Sequence, residues 1–202
     1  MINLKNIHKG FDDKVLFEDF NIDIPDGEFL AFTGDSGCGK TTMLNMIGAL
    51  EKPDSGQIIV DGKDIYQRKN RRSYFAGKVG FLFQNFALVE SKTVRQNLEF
   101  VRRGDRTNLT VKEVLKNVGI ADKADTKVYK LSGGEQQRVA LARLMLKKCD
   151  IILADEPTGS LDVRNAAVVM DILHKMNETG KTIIIVTHNE NIMTEAKRVV
   201  RL

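Results

Sequence analysis

A glycine-rich stretch at residues 34–41, GDSGCGKT, has the residue types and the spacing that bind phosphate. It matches the pattern G-x-x-x-x-G-K-[ST], and it lies between an apolar run at 29–33 that predicts a strand and a segment at 42–50 that predicts a helix. Backbone N–H groups would surround the phosphates, Lys40 would reach the outer phosphates, and the Thr41 hydroxyl would ligate Mg²⁺. A chance glycine-rich turn is the weaker alternative. The residues assigned to the ligand here are Gly34, Asp35, Ser36, Gly37, Cys38, Gly39, Lys40, Thr41 and Thr42.

A second glycine-rich stretch, LSGGEQQR at residues 131–138, places two glycines where a helix should begin. Ser132 and Glu135 have the spacing of a capping box, in which each side chain bonds the backbone N–H of the other residue. Capping does not explain Gly133 and Gly134, because each glycine disfavours a helix by roughly 1 kcal/mol relative to alanine. A first turn without side chains lets an anion approach the N–H groups at the positive end of the helix dipole. We therefore assign these four residues to a second phosphate-binding surface.

Two adjacent carboxylates, Asp155 and Glu156, stand at the end of a predicted strand at 151–155. Ligands bind beyond the carboxyl ends of parallel strands, and NTPases with a phosphate loop hold Mg²⁺ through an aspartate at this position. Glu156 is then the candidate that orients and deprotonates an attacking water. Pro157 restricts the residue before it, so we expect Glu156 to be extended. A pair of solvated loop acids is the alternative.

Two further polar side chains follow predicted strands. His188 follows the strand at 183–187, from which its imidazole could reach the terminal phosphate or the attacking water. Gln84 follows the strand at 79–83, and its amide could ligate Mg²⁺ through oxygen while its NH₂ group senses the water. Either residue alone is a weak signal. The catalytic candidates are Glu156, His188, Gln84 and Lys40, and the metal-ligand candidates are Thr41, Gln84 and Asp155.

Strands alternate with helices along most of the chain, which predicts a layered α/β core. Three apolar runs with helical patterns between them predict parallel strands: residues 79–83, 151–155 and 183–187. Three earlier alternating segments, separated by turn signals, predict antiparallel strands: residues 2–7, 15–24 and 57–60. Between residues 84 and 131 the polarity rises and the periodicity becomes helical. This stretch is therefore predicted to be a helical lobe inserted into the core.

The composition indicates one folded domain with an inserted lobe. The 202 residues are 42% apolar and 29% charged, which excludes general disorder. No apolar stretch approaches the roughly 20 residues that span a bilayer, and the N-terminus lacks the apolar core of a signal peptide, so we expect a cytoplasmic protein without a covalent membrane anchor. The net charge of +4 suits an anionic ligand but is too small to indicate nucleic acid. The two cysteines, Cys38 and Cys149, have no metal-ligand spacing and are expected to be reduced.

These motifs, in their order along the chain, resemble those of the ATP-binding-cassette ATPases, and LSGGEQQR is the family-specific one. The resemblance implies a P-loop NTPase fold: a mixed, mainly parallel sheet core with an antiparallel β subdomain and an inserted α-helical subdomain. It divides the single domain at 1–202 into a core with β subdomain, at 1–83 and 139–202, and a helical subdomain at 84–138. It also implies ATP and Mg²⁺ as cofactors, and it places Phe11 where the family has an aromatic residue, usually tyrosine, that stacks on adenine.

The family pattern further implies that two chains pair head to tail. Both glycine-rich elements of one chain could grip one nucleotide, but in the family the turn at residues 132–134 closes on the γ-phosphate held by the other chain. Two equivalent ATPs then lie in one two-fold interface. Asp162 precedes a helical pattern and is expected to cap that helix. The resemblance implies that Asp162 also contacts the second chain.

The segment at 83–98, FQNFALVESKTVRQNL, resembles the corresponding segment in cassettes of lipoprotein-release, macrolide-export and bacteriocin or antimicrobial-peptide export systems. A cassette without a transmembrane segment then needs a separately encoded permease, which would hold it on the inner face of the cell membrane. We expect the permease to dock on the helical lobe, with the apolar run at 86–89 as the floor of the dock, although core packing of that run is the alternative. The alternative function is a non-transport ATPase of the mechanotransmission, cell-division or cluster-assembly type.

Overall fold

Two β-sheets form the frame of the molecule, and the computed structural model describes them within residues 1–12, 14–159 and 161–202. The strands are β1 (Ile2–Phe11), β2 (Lys14–Ile24), β3 (Phe29–Thr33), β4 (Ser55–Val60), β5 (Lys63–Asp64), β6 (Val79–Leu82), β7 (Ile151–Asp155), β8 (Thr182–Val186) and β9 (Arg198–Arg201). One sheet is antiparallel, in the order β2-β1-β4-β5. The other is parallel, in the order β6-β7-β8-β3-β9. The predicted α/β fold with a parallel core and a separate antiparallel sheet is confirmed.

Helices connect the strands and build the lobe. They are α1 (Lys40–Ile47), α2 (Arg68–Gly77), α3 (Val94–Glu99), α4 (Val111–Asn117), α5 (Gly133–Leu146), α6 (Val163–Glu178) and α7 (Glu190–Glu195). α5 is continuous and contacts α3 and α4 of the lobe as well as β6 and α6 of the core. It therefore crosses the subdomain boundary at residue 138, and the division there stays a prediction. Within the described ranges, no helix combines the length and the apolar composition that crossing a membrane requires.

Four strands of the parallel sheet, β6, β7, β8 and β3, are largely buried. Along β7, Ile151 and Leu153 belong to the apolar cluster formed with α1 and the antiparallel sheet, whereas Ile152 and Ala154 belong to the cluster formed with α5 and α6. Successive side chains of a strand point to opposite faces, so every residue of this run is used in packing. The polar residues that follow the parallel strands therefore lie together at the carboxyl edge of a rigid sheet.

Some elements differ from the predicted ones. β3 and β7 have the predicted bounds, but α1 begins at Lys40 instead of residue 42 and ends before Gly48. β1 extends beyond residue 7 to Phe11. The sequence pattern does not predict α2, because this helix is rich in arginine and lysine and buries only Tyr74. The pattern does not predict β9 either, because this strand has only four residues and has arginine at both ends.

Candidate active site

The phosphate-binding loop connects β3 to α1, and its own geometry requires its glycines. Gly34 and Gly39 have φ angles of 147° and 100°, which residues with side chains rarely adopt. A methyl group on Gly34 would lie 2.8 Å from the Leu202 carbonyl oxygen, and one on Gly39 would lie 2.8 Å from the Phe17 ring. The loop leads directly into the first turn of α1, whose N–H groups have no partner within the helix and can bind an anion.

Lys40 is the first residue of α1, and its ammonium packs against the loop. Nζ donates hydrogen bonds of 2.9 Å to the carbonyl oxygens of both Gly34 and Asp35. Cys38 Sγ lies 3.9 Å from the same nitrogen, and Cys38 is a thiol, as is Cys149. The loop therefore holds one positive charge close to the N–H groups that would bind phosphate oxygens. A hydrogen bond between an ammonium and a phosphate oxygen is charge-assisted and is stronger than one between neutral groups.

Oxygen ligands suitable for Mg²⁺ lie next to the loop. Thr41 Oγ1 donates a 3.2 Å hydrogen bond to Asp155 Oδ1 at the end of β7. Burial raises the pKa of the Asp155 carboxyl above its ordinary value, and the hydrogen bond from Thr41 partly opposes this shift. Gln84 and Asp155 border the same cleft, two residues beyond β6 and at the end of β7 respectively. Hydroxyl, amide and carboxylate oxygens are the ligands that Mg²⁺ prefers, so the donor set fits this metal.

Glu156 follows β7 directly and is oriented by the neighbouring strand end. Its Oε1 lies 2.6 Å from His188 Nδ1, and its Oε2 accepts a 3.3 Å hydrogen bond from Thr187 Oγ1. Its backbone N–H donates to the Val186 carbonyl oxygen at 2.9 Å. The Glu156 side chain is only 14% exposed, whereas that of His188 is 74% exposed. A fixed carboxylate with an adjacent imidazole at the sheet edge is an arrangement suited to general-base catalysis.

The backbone of Glu156 corrects one prediction. The sequence predicts an extended residue before Pro157, but Glu156 has a φ of 44°, in the left-handed region. The prediction is wrong because the hydrogen bonds to the end of β8 and to the residues after it outweigh the local preference. Such a conformation costs on the order of 1–3 kcal/mol in a residue other than glycine, and it concentrates at functional sites.

The capping box at the start of α5 is confirmed. Ser132 N–H donates to Glu135 Oε2 at 2.8 Å, and Glu135 N–H donates to Ser132 Oγ at 3.3 Å. The hydrogen bond from the Ser132 backbone lowers the pKa of the Glu135 carboxyl. Among the described residues, a methyl group on Gly133 would meet no atom within 4 Å, but one on Gly134 would lie 2.8 Å from the Asn165 side chain. Packing within the chain therefore explains in part why residue 134 is a glycine. It does not explain why residue 133 is one.

Polar side chains connect α5 to the loop after β7 and to the start of α6. Gln137 is buried, and its Nε2 donates to the Pro157 carbonyl oxygen at 2.6 Å. Arg138 donates to Asn165 Oδ1 at 2.9 Å, and Asn165 Nδ2 donates to Asp162 Oδ2 at 2.6 Å. Asp162 caps α6, as expected, by accepting a 2.9 Å hydrogen bond from the Asn165 N–H. The sequence pattern gives no role to Gln137 or Arg138, because their hydrogen-bond partners are distant in the chain.

Phe11 lies at the tip of the β1–β2 hairpin, beside the phosphate loop. It pairs with Lys14 across the hairpin, and Lys14 Nζ donates to the Gly37 carbonyl oxygen at 2.8 Å. This hydrogen bond attaches the hairpin that carries Phe11 to the loop. Lys14 was not assigned from the sequence, since a single exposed lysine carries no signal.

The assigned residues fall into two groups within one chain. The phosphate loop and the polar residues after β6, β7 and β8 share the carboxyl edge of the parallel sheet. The turn at 132–134 is different, because its hydrogen bonds in the described part of the chain remain within its own segment. One chain therefore presents a candidate phosphate site at the sheet edge and, separately, a helix start whose first turn has no side chains at Gly133 and Gly134.

Known proteins match this chain over its full length. It is 38% identical over 209 residues to the macrolide export ATP-binding/permease protein MacB of Campylobacter jejuni subsp. jejuni serotype O:2, a match that covers 100% of this chain and 33% of MacB. It is 37% identical over 213 residues to the uncharacterized ABC transporter ATP-binding protein MJ1508 of Methanocaldococcus jannaschii, which covers 100% of this chain and 95% of MJ1508. The chain thus spans about a third of MacB and nearly all of MJ1508.

Solved structures show the same fold. The dimeric structure of MJ0796, described as a bacterial ABC transporter cassette, is 37% identical, with a TM-score of 0.87 over 100% of this chain and 94% of MJ0796. The dimeric post-hydrolysis state of MJ0796 bound to ADP and Pi is 35% identical, with a TM-score of 0.87 and the same coverage. These similarities confirm the P-loop NTPase fold, and the ABC transporter family profile matches residues 17–159. The chain therefore belongs to the ABC transporter family, as one of its ATP-binding cassettes.

Proposed function

We propose that this chain hydrolyses ATP with Mg²⁺ as the energising subunit of an export-type transporter, and that it works as a head-to-tail dimer. The observation that carries the proposal is the contrast between a phosphate loop with catalytic residues beside it and a glycine turn whose Gly133 faces open space. Similarity to a protein named for macrolide export supports the export class and, within that class, favours the macrolide type over the lipoprotein and bacteriocin types. It also disfavours the alternative of a non-transport ATPase.

Residues of one chain would hold most of the nucleotide. The N–H groups of residues 34–41 and the Lys40 ammonium bind the phosphates, and Phe11 stacks on adenine. Thr41, Gln84 and Asp155 would hold Mg²⁺, which supplies charge neutralisation of the phosphate oxygens when bound.

Hydrolysis is assigned to the residues after β7 and β8. Glu156 orients the attacking water and accepts its proton, and the hydrogen bonds from Thr187 and His188 hold the carboxylate in place for that transfer. The exposed His188 ring is placed to contact the terminal phosphate from the same edge of the sheet. Lys40 stabilises the negative charge that develops on the phosphate.

The second chain would supply the turn at residues 132–134. The start of the 14-residue helix α5 carries positive partial charge, and Gly133 lets a phosphate approach its N–H groups closely. ATP held by one chain then joins the two chains, and its hydrolysis releases them. Asp162, at the start of α6, would contact the second chain in the same interface.

We place the permease dock in a groove between α2, the helical lobe and α5. Its aromatic wall consists of Phe75, Phe81, Phe83 and Phe100. Its charged residues are mostly basic: Arg72, Arg102, Arg143 and Lys147, with Asp105. A permease segment with apolar and acidic side chains would complement such a surface.

The groove replaces the run at 86–89 as the proposed floor of the dock. Phe86 and Leu88 pack against the core, and only Val89 of the larger side chains is well exposed, at 42%. Arg143 lines the groove and donates to the carbonyl oxygens of Phe86 and Ala87, at 2.9 Å and 2.6 Å. A force on the groove would thus reach the segment that follows Gln84. The permease would hold the chain at the inner face of the membrane.

Light scattering of a Glu156→Gln variant tests the dimer. Because the substitution removes the base and leaves the phosphate loop intact, we expect ATP with Mg²⁺ to convert monomers into stable dimers at micromolar protein. The control variant Glu156→Gln/Lys40→Ala should remain monomeric. An ATP-treated Glu156→Gln protein that remains monomeric would contradict the proposal.

Copurification with a membrane protein tests the transporter assignment. We expect Phe100→Glu, which changes a ring that is 56% exposed in the groove, to abolish copurification. Val89→Glu, outside the groove, is the matched control and should retain it. Equal retention by both variants would exclude the groove as the dock.

A further inference from the structure

Lys9 is a buried cation on β1 whose ammonium is surrounded by acceptors. Only 5% of the residue is exposed. Nζ lies 2.7 Å from Glu51 Oε1 and 3.2 Å from Asp54 Oδ1, and it donates to the Lys52 carbonyl oxygen at 3.1 Å. The hydrogen bond to Glu51 is the main cause that raises the pKa of Lys9, so its charge persists through the neutral range. Both the position and the charge of this ammonium are therefore fixed.

The turn that supplies these acceptors is itself attached to β1. The Gly10 N–H donates to Asp54 Oδ2 at 2.8 Å, and the Asp54 N–H donates to the His8 carbonyl oxygen at 2.9 Å. These bonds anchor the turn on both sides of Lys9. The ammonium is consequently held by a rigid framework instead of by a mobile surface pair.

The same ammonium lies over the ring of Phe11. Nζ is 4.5 Å from the ring centroid, within cation–π range. Lys9 and Phe11 are two residues apart on one strand, so their side chains share a face of the sheet. Phe11 is 48% exposed, which leaves ring surface accessible on the side away from Lys9. A phenyl ring has no hydroxyl group to fix it by hydrogen bonding, so the cation is its available polar anchor.

We propose that Lys9 is a positioning residue that fixes the Phe11 ring in place to receive the nucleobase. The proposal rests on the proposed function only in assigning Phe11 to adenine. A ring that the cation holds in place before the nucleotide arrives loses less side-chain freedom on binding, which is worth about 3- to 10-fold in affinity. Lys9 would act on the base alone, since its contacts are with Phe11 and the turn at 51–54 and not with the phosphate loop.

Binding of ATP and of inorganic tripolyphosphate, each with Mg²⁺, tests the proposal by calorimetry. We expect Lys9→Met to weaken ATP binding about 3- to 10-fold and to leave tripolyphosphate binding unchanged. Lys9→Arg, which keeps the cation, should restore most of the affinity for ATP. Unchanged ATP affinity in Lys9→Met, or an equal loss for both ligands, would overturn the proposal.

Two further variants separate a failure of the Lys9 proposal from misfolding and from a wrong adenine assignment. Lys9→Met/Glu51→Gln removes a buried cation together with one acid partner, so it provides the same comparison if Lys9→Met alone does not fold. Phe11→Ala should also weaken ATP and spare tripolyphosphate. If Phe11→Ala has no effect, the adenine assignment fails, and with it the role of Lys9. If Phe11→Ala weakens ATP and the Lys9 variants do not, only the role of Lys9 fails.

Discussion

The two glycine-rich elements of this chain use glycine for opposite reasons. In the loop at 34–41, Gly34 and Gly39 have positive φ angles, and a methyl group on either would lie 2.8 Å from a neighbouring atom. In the turn at 132–134, Gly133 is the first residue of a regular helix, and a methyl group on it would meet nothing within 4 Å in the described part of the chain. The fold of the single chain requires the first pair of glycines and does not require Gly133.

This difference indicates where each element meets its ligand. A glycine that the chain needs for its own geometry says little about a partner. A glycine that lowers helix stability without any internal gain supports the proposed contact outside the chain. In this account the outside group is the γ-phosphate of a nucleotide bound by a second chain.

The largest predicted effects are a loss of ATP binding in Lys40→Ala and a loss of ATP turnover in Glu156→Gln. Lys40→Ala should weaken ATP binding, because it removes the charge next to the loop carbonyls. Glu156→Gln should leave binding nearly unchanged and lower turnover by about 10²- to 10⁴-fold, the usual contribution of a positioned base. Equilibrium binding and steady-state phosphate release measure the two effects. Comparable turnover in Glu156→Gln and the parent protein would mean that another residue is the base.

The next effect compares one glycine from each element. Gly39→Ala should lower the free energy of unfolding by about 1–3 kcal/mol, because alanine is strained at a φ of 100° and meets the Phe17 ring. Gly133→Ala should leave it unchanged or raise it by up to about 1 kcal/mol. Its turnover should nevertheless fall about 10- to 150-fold, since one charge-assisted contact is worth about 1.5–3 kcal/mol.

Urea denaturation and steady-state ATP turnover of both variants measure this comparison. A loss of stability in Gly133→Ala as large as that in Gly39→Ala would show that the chain itself needs Gly133. Wild-type turnover in Gly133→Ala would contradict the proposal that a phosphate outside the chain contacts Gly133.

The smallest effect concerns the pH dependence of the turn. The Ser132 N–H lowers the pKa of Glu135, so the ionised carboxylate stabilises the fold at neutral pH. That contribution persists down to about pH 4.3, the ordinary pKa of glutamate, and is lost as the pH falls through the lower folded-state value. The difference in urea midpoint between the parent and Glu135→Gln should therefore shrink below that pH. A difference that stays constant from pH 7 to pH 3.5 would contradict this account of the cap.

The sequence predicts those elements whose residue pattern lies within a short segment of the chain. β3, β7 and the cap at Ser132 were predictable because a strand buried on both faces is continuously apolar and because a capping box is a pattern of four residues. The φ of Glu156 was not, because hydrogen bonds to β8 and the residues after it outweigh the restriction that Pro157 imposes.

Most of the contacts that support the site join residues far apart in the chain. Gln137 reaches Pro157, Lys14 reaches Gly37, and Lys9 reaches Glu51. An isolated lysine or glutamine has no pattern that identifies such a contact. The sequence thus predicts the residues assigned to ATP and leaves most of those that orient them to the three-dimensional structure.

Mixing two inactive variants most directly tests whether the turn of one chain completes the phosphate site of another. Lys40→Ala keeps an intact turn, and Gly133→Asp keeps an intact phosphate loop. In a head-to-tail heterodimer both substitutions fall in one composite site, and the other site contains only intact elements. The account predicts ATP turnover in the mixture well above the sum of the two variants measured separately. Turnover equal to that sum would mean that both elements act within one chain and would contradict the account.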